Sequence, residues 1–267
     1  MHYHAYEMAH VMAAPLRFAA RGLKHSLQFP FNPFGMTFAG RNMAAACEVF
    51  EKLTRRYGKP DFDITETKVH GLTVPVREQV IHRKTFCDLV HFERDAEVIG
   101  KRYDPKVLVV APMSGHYATL LRGTVEAMLP EHDVYITDWK DARDVPAIDG
   151  AFDLDDFIDY IIEFITYLGP NTNVIAVCQP SVPVLAATAV MARDDHPCQP
   201  ASLTLMGGPI DTRRNPTAVN DLASKRSIQW FESNVINTVP FPNAGFMRKV
   251  YPGFIQLTGF MTMNLER

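Results

Sequence analysis

The sequence predicts an α/β fold, a sheet with flanking helices preceded by a helical extension. Two observations carry that expectation. From Pro105 to Asp211, short runs of β-branched and apolar residues alternate with helix-length segments in which apolar residues recur every three to four positions. That rhythm belongs to a parallel sheet with crossover helices. Within it, Val174–Val177 reads as a buried strand that runs into a helix of small residues from Val182, with one cysteine, Cys178, on the joint.

The elements follow in order. Residues 5–25 have helical composition interrupted at Pro15, and Phe29-Pro-Phe-Asn-Pro-Phe-Gly35 is an aromatic, proline-punctuated connector. Met43, Ala46, Cys47, Phe50, Leu53 and Tyr57 keep a 3.6-residue spacing and predict a helix that stops at Gly58-Lys-Pro60. Alternating residues then predict strands near 65–70, 73–82 and 85–92, separated by Gly71 and the Arg83-Lys84 corner. His82 and His91 fall on these strands and read as hydrogen-bonding fillers.

Val107–Ala111 is the first buried parallel strand, followed by the loop Pro112-Met-Ser-Gly-His116. Tyr117, Leu120, Leu121, Val125, Met128 and Leu129 then line one face of a helix, and residues 132–139 form the next strand, ending in Asp138 and Trp139. Asp153 caps a helix with Phe157, Ile161, Ile165 and Leu168 on one face, while Asp155, Asp156 and Asp159 suit its positive end better than a calcium loop. After the helix that follows Cys178, residues 202–206 form another strand. Right-handed crossovers put the C-termini of the parallel strands on one edge, where an open α/β sheet keeps its site. Beyond residue 212 the rhythm stops, and large apolar residues with interspersed Pro and Gly read as a cap over that edge.

Composition removes several function classes. Apolar residues make up 47% and charged residues 21% of the 267, with a net charge of −3, which leaves no electrostatic footprint for nucleic acid. Cys47, Cys87, Cys178 and Cys198 lack C-x-x-C spacing, which argues against a zinc site or a disulfide framework and for reduced thiols in a cytoplasmic protein. His2 and His4 could pair on a metal, yet terminal histidines of this kind seldom do. Charged and histidine residues interrupt any leader-like core at the N-terminus, and the one long uncharged stretch, 164–192, is broken by Gly169-Pro-Asn171, Asn173 and Gln179-Pro180, so no continuously apolar run of ~18 residues could span a bilayer. We therefore expect no cofactor, no metal and no transmembrane segment.

The strand–Cys178–helix joint resembles the nucleophile elbow of α/β-hydrolases, a sharp turn that lifts a side chain above the sheet and aims a helix N-terminus at it. Ala176 and Pro180 stand where G-x-S-x-G has its glycines, and Cys178 stands for the serine. A thiol suits the role, because it is deprotonated more readily than a hydroxyl. The alternative is a buried structural cysteine, since free cysteine is among the most buried residue types.

Three segments carry a closer likeness: Val107-Leu-Val-Val-Ala-Pro-Met-Ser-Gly-His116, Tyr135-Ile-Thr-Asp-Trp-Lys140 and Val177-Cys-Gln-Pro-Ser181. Together with the His-rich N-terminus and the Phe-rich connector, they resemble the intracellular poly(3-hydroxybutyrate) depolymerases of bacteria. That resemblance implies a cysteine nucleophile, Cys178, acting on the amorphous polyester of cytoplasmic storage granules. It also implies an oxyanion hole from the Gln179 amide and the Met113–Ser114 loop.

The hydrolase chain order is nucleophile, acid, histidine. After Cys178 the only histidine is His196, beyond a helix that would hold it roughly 20 Å away. Asp211 is a weak candidate for the acid and His116 for the base. The family pattern continues past Arg267 with the last strands, the acid and the histidine, so the resemblance implies an N-terminal portion. The expected organisation is a helical extension at 1–60, an incomplete α/β-hydrolase core at 61–211 and a cap-like segment at 212–267. Besides a polyester hydrolase, two readings stay open: a polyhydroxyalkanoate synthase-like acyltransferase and a non-catalytic granule-binding fragment. The expected partner is the polymer or granule surface, and a homodimer is left open.

Overall fold

The computed structural model describes residues 2–56, 58–100 and 102–263. The chain divides into two compact units, residues 1–58 and 59–267.

The first unit is a helical hairpin of α1 (His2–Gln28) and α2 (Phe38–Thr54). The expected interruption at Pro15 does not occur: α1 runs through it. One proline removes a single i→i−4 bond, and tertiary packing along a helix of 27 residues outweighs that loss. The connector closes tightly. Thr37 caps α2 by accepting from the Gly40 amide at 3.1 Å. A side chain at Gly35 would run into the Leu27 carbonyl, so this position admits only glycine.

The seam between α1 and α2 combines the buried Tyr3, Leu27 and Ala44 with polar contacts. Arg21 and Lys24 both donate to Glu51, which is only 7% exposed, and Arg17 donates to the Thr54 carbonyl at 2.8 Å and to the His10 ring. The apolar period of α2 is real, but Met43 and Leu53 are exposed while Gly40, Ala44 and Glu51 are buried. Tyr57, the last residue of that period, lies outside the described residues.

The second unit opens with β1 (Glu66–Val69), β2 (Leu72–Arg83) and β3 (Cys87–Arg94), followed by the single turn α3 (Ala96–Ile99). Next come β4 (Lys106–Val110), α4 (Arg122–Met128), β5 (Asp133–Trp139), α5 (Leu154–Leu168), β6 (Thr172–Val177), α6 (Ser181–Arg193) and β7 (Ser202–Met206). The one long helix expected over 117–129 is instead a 3₁₀ turn at Ala118–Leu121 leading into α4, with Leu120 turned to solvent. Past β7 lie α7 (Ala218–Lys225), α8 (Ile228–Asn234), the two-residue strands β8 (Asn237–Thr238) and β9 (Lys249–Val250), and α9 (Gly253–Met263).

Seven strands make one sheet in the order β1-β2-β3-β5-β4-β6-β7. β1, β2, β3 and β5 pair antiparallel, whereas β5, β4, β6 and β7 are parallel. The chain leaves β4 toward one side, to β5, and leaves the adjacent β6 toward the other, to β7, so its lateral direction reverses between β4 and β6. Ligand crevices of open α/β sheets form at such a reversal, outside the strand C-termini. Both faces are covered: Phe157, Ile161, Phe164 and Ile165 of α5 with Val184 and Ala187 of α6 on one side, and Phe62, Leu121, Val125 and Leu129 on the other. α5 begins with the expected cap, in which Asp153 accepts from the Asp155 and Asp156 amides while Asp156 accepts from that of Asp153.

Candidate active site

β6 is paired on both sides, with Val110 of β4 opposite Ala176 and Met206 of β7 opposite Val177. Its last residues are thus held in the middle of the parallel array. One residue further, the Cys178 amide still donates to the Met206 carbonyl at 2.8 Å, and there the backbone turns with a φ of +66°. Left-handed backbone costs an L-residue with a Cβ about 1–2 kcal/mol. Cys178 is exposed. It therefore stands on a sharp strand-to-helix turn and outside the core, unlike Cys87, which is fully buried and whose thiol burial pushes well up in pKa.

The turn is held from below. Ser181, fully buried at the head of α6, donates to the Ala176 carbonyl at 3.4 Å, and its amide donates to the Cys178 carbonyl at 3.1 Å. Pro180 costs this first turn nothing, because an amide there would have no intrahelical acceptor. Gly208, in the loop after β7, lies against the same turn: a Cβ on it would meet Ser181 and come within 2.7 Å of the Cys178 carbonyl oxygen. The absence of a side chain at Gly208 had no signal in the sequence beyond the Gly207-Gly208 pair.

The loop after β4 shares this edge. Its start is fixed at both ends of one residue: the Ala111 amide donates to Thr137 Oγ1 at 2.9 Å, and the Ala111 carbonyl accepts from Trp139 Nε1 at 3.0 Å. Trp139 is buried against Phe152 and Phe157 and anchors the loop from within the core. Met113 is exposed and Ser114 half-buried. Among the described residues, the amides of Met113, Ser114 and Gln179 find no acceptor. An oxyanion site needs such uncommitted donors.

The remaining candidates are more scattered. His116 is exposed in the β4 loop. Asp211 lies in the loop after β7 and accepts from its own neighbour Arg213, through Nε at 2.8 Å and through the backbone, and these bonds hold its carboxyl below the ordinary range. His196 sits past the far end of α6, with Nδ1 accepting from the Cys198 amide and Nε2 3.5 Å from Thr166. His82 is bonded to Glu163 and His91 to Asp133, each at 2.7 Å. Among the described residues, His116 is the one histidine in the loops that follow β4 to β7. Asp138, at the end of β5, pairs with Lys59 through one oxygen, and its other oxygen is buried without a partner.

Among the described residues, no group of three His, Cys, Asp or Glu could hold a metal ion, and no helix is long and apolar enough to cross a membrane.

Comparison with known proteins adds the following. Residues 207–267 match the family described as PHB de-polymerase C-terminus. No curated protein matches the chain. Solved structures that it resembles include a membrane phospholipase A, a bacterial virulence factor, at 15% identity and a TM-score of 0.41. An ester-hydrolase from the metagenome of Lake Arreo gives 14% and 0.42, and an esterase from the archaeon Pyrobaculum calidifontis 13% and 0.37. These matches cover 72%, 89% and 76% of this chain, and 62%, 73% and 61% of the respective structures. The chain thus spans about three fifths of the first and third. Its strand order and the turn at Cys178 give it the α/β-hydrolase fold, and its residues 207–267 are similar to the C-terminal part of PHB depolymerases.

Proposed function

We propose that the chain provides the nucleophile half of an ester hydrolase acting on amorphous poly(3-hydroxybutyrate), with Cys178 as the nucleophile. The observation that carries this reading is an exposed cysteine with φ +66° on the strand-to-helix turn of a hydrolase sheet. The match of residues 207–267 to the depolymerase family supports the substrate class.

In the proposed reaction the Cys178 sulfur adds to the ester carbonyl carbon. The carbonyl oxygen gains negative charge, and the amides of Gln179 and of Met113 or Ser114 stabilise it. Removing one such donor typically costs about 3–4 kcal/mol of transition-state stabilisation. The C–O bond then breaks, the leaving 3-hydroxy group takes a proton, and a thioester remains on Cys178. Water adds to the thioester, its proton passes to a base, and the C–S bond breaks to release the acid and regenerate the thiol. A histidine must move these protons. His116 is the candidate within the described loops, while Asp211 is occupied by Arg213. Polymer of this kind lies in storage granules of the cytoplasm, and the reading places the chain there.

Release of 3-hydroxybutyrate from amorphous granules by the whole protein tests this. The expected result is loss of release in Cys178→Ala and trapping of a thioester in the native protein. Equal release by both would end the proposal. If His116→Ala retains full release, the base is another residue and the nucleophile assignment stands.

A further inference from the structure

The helical hairpin of the first unit sets charged residues into its seam beside Tyr3 and Leu27 and leaves a run of large apolar residues on its outside. On α1, the seam toward α2 is formed by Tyr3, His10, Arg17, Lys24 and Leu27. A helix turns 100° per residue, so Met8, Val11, Met12, Leu16 and Leu23 fall on the opposite side. All five are exposed, Val11 by 67%, and the stripe runs about 22 Å along the helix. The turn between the helices continues it with Phe29, Phe31, Phe34, Met36 and Phe38, of which Phe31 is 85% exposed. A soluble hairpin ordinarily buries such a stripe and exposes its charges.

Charge separates the occupants that could cover this face. Residues 1–58 hold seven Lys and Arg against three Glu, a surplus of four positive charges in a chain whose net charge is −3. All three glutamates are already paired within the hairpin, Glu7 with Arg56, Glu48 with Lys52 and Glu51 with Arg21 and Lys24. Arg41 stands at the aromatic turn, in the wall of a hollow shared with Phe29 and Met36. A second copy would bring like charge against like, and an uncharged polyester offers no counter-charge. An anionic lipid layer supplies both an apolar bed for the stripe and negative headgroups for the surplus.

We propose that the α1–α2 hairpin docks on an anionic lipid surface, laying the Met8–Leu23 stripe and the Phe29–Phe38 turn into its outer layer. The hairpin is a peripheral anchor. It is independent of the Cys178 chemistry, and Cys178→Ala binds as the unaltered chain does.

The test is sedimentation of the full chain with vesicles of phosphatidylcholine alone and of phosphatidylcholine with about one third phosphatidylglycerol. The expected result is binding to the anionic vesicles only, weakened by salt. Arg41→Gln should weaken it about fivefold, and Val11→Glu with Phe31→Ser should abolish it. These positions are exposed, so circular dichroism and the melting temperature of the variants should stay unchanged. Absence of binding to either vesicle overturns the proposal, as does equal, salt-independent binding to both. Salt-insensitive capture on lipid-free polyester particles, at the affinity seen with anionic vesicles, assigns the face to the polymer instead. A concentration-dependent dimer that Val11→Glu disperses, without vesicle binding, assigns it to a second copy.

Discussion

Gly208 and Cys178 are in backbone contact: a methyl group on the glycine would stand 2.7 Å from the cysteine carbonyl oxygen and collide with Ser181 behind it. Gly208→Ala must push either the loop after β7 or the turn at Cys178 out of place. Overpacking of this kind costs about 1–3 kcal/mol. The variant is expected to unfold at lower urea and to react with iodoacetamide at Cys178 at an altered rate, read by peptide mass spectrometry. Unchanged stability and alkylation would show that the loop yields freely.

Cys178→Gly and Cys178→Ala both remove the sulfur, but only glycine relieves the positive φ. Cys178→Gly is expected to be more stable than Cys178→Ala by about 1 kcal/mol in denaturant unfolding. Equal stability would mean that the turn relaxes once the thiol is gone.

Thr137→Val keeps the shape of a fully buried side chain but leaves the Ala111 amide without its acceptor. An orphaned buried amide costs about 1–3 kcal/mol. The expected outcome is a lower melting temperature and slower ester turnover, with alkylation of Cys178 unaffected. If turnover falls and stability does not, Thr137 acts on the loop by another route.

Asp133 carries a pH dependence. Burial alone would raise its carboxyl, but hydrogen bonds from His91 at 2.7 Å and from the Tyr135 hydroxyl at 2.6 Å offset that and hold it below the ordinary range. Burial, with that same bond to Asp133, pushes the Tyr135 hydroxyl up. A depressed carboxylate stabilises the fold above its unfolded pKa of about 3.9, and the stabilisation is lost as pH falls through the folded value. Asp133→Asn is therefore expected to be less stable than the unaltered chain at pH 7 and to converge with it below about pH 4. Urea unfolding at pH 7, 5, 4 and 3 measures the gap, and a gap independent of pH would exclude the carboxylate as its source.

Much of the sheet was legible because its strands are short, apolar and bounded by turn residues. Residues 202–206 appear as β7 at the expected positions, and Asp153 caps α5 as its spacing requires. The turn at Cys178 was legible for the same reason, as a β-branched run meeting a small-residue helix. The hairpin was not. The spacing of Met43 and Leu53 reveals an apolar face and says nothing of which way it points, and here it points outward. Pro15 marks a break only where packing is weak. The contact of Gly208 with Ser181 joins residues distant in sequence, which no local pattern encodes. Asp211 and His196 were readable as residue types, but their bonds to Arg213 and to Thr166 and Cys198 depend on side-chain geometry.

The bond from the Cys178 amide to the Met206 carbonyl carries one more consequence. Among the described residues, β7 has a single hydrogen-bonded neighbour, so it is the strand of this sheet's parallel part from which fraying starts. The sulfur is moored to that outermost strand and not only to the interior. Its positional steadiness is then set by whatever quiets the margin of the sheet, and deuterium uptake at the Cys178 amide would be a direct gauge of it.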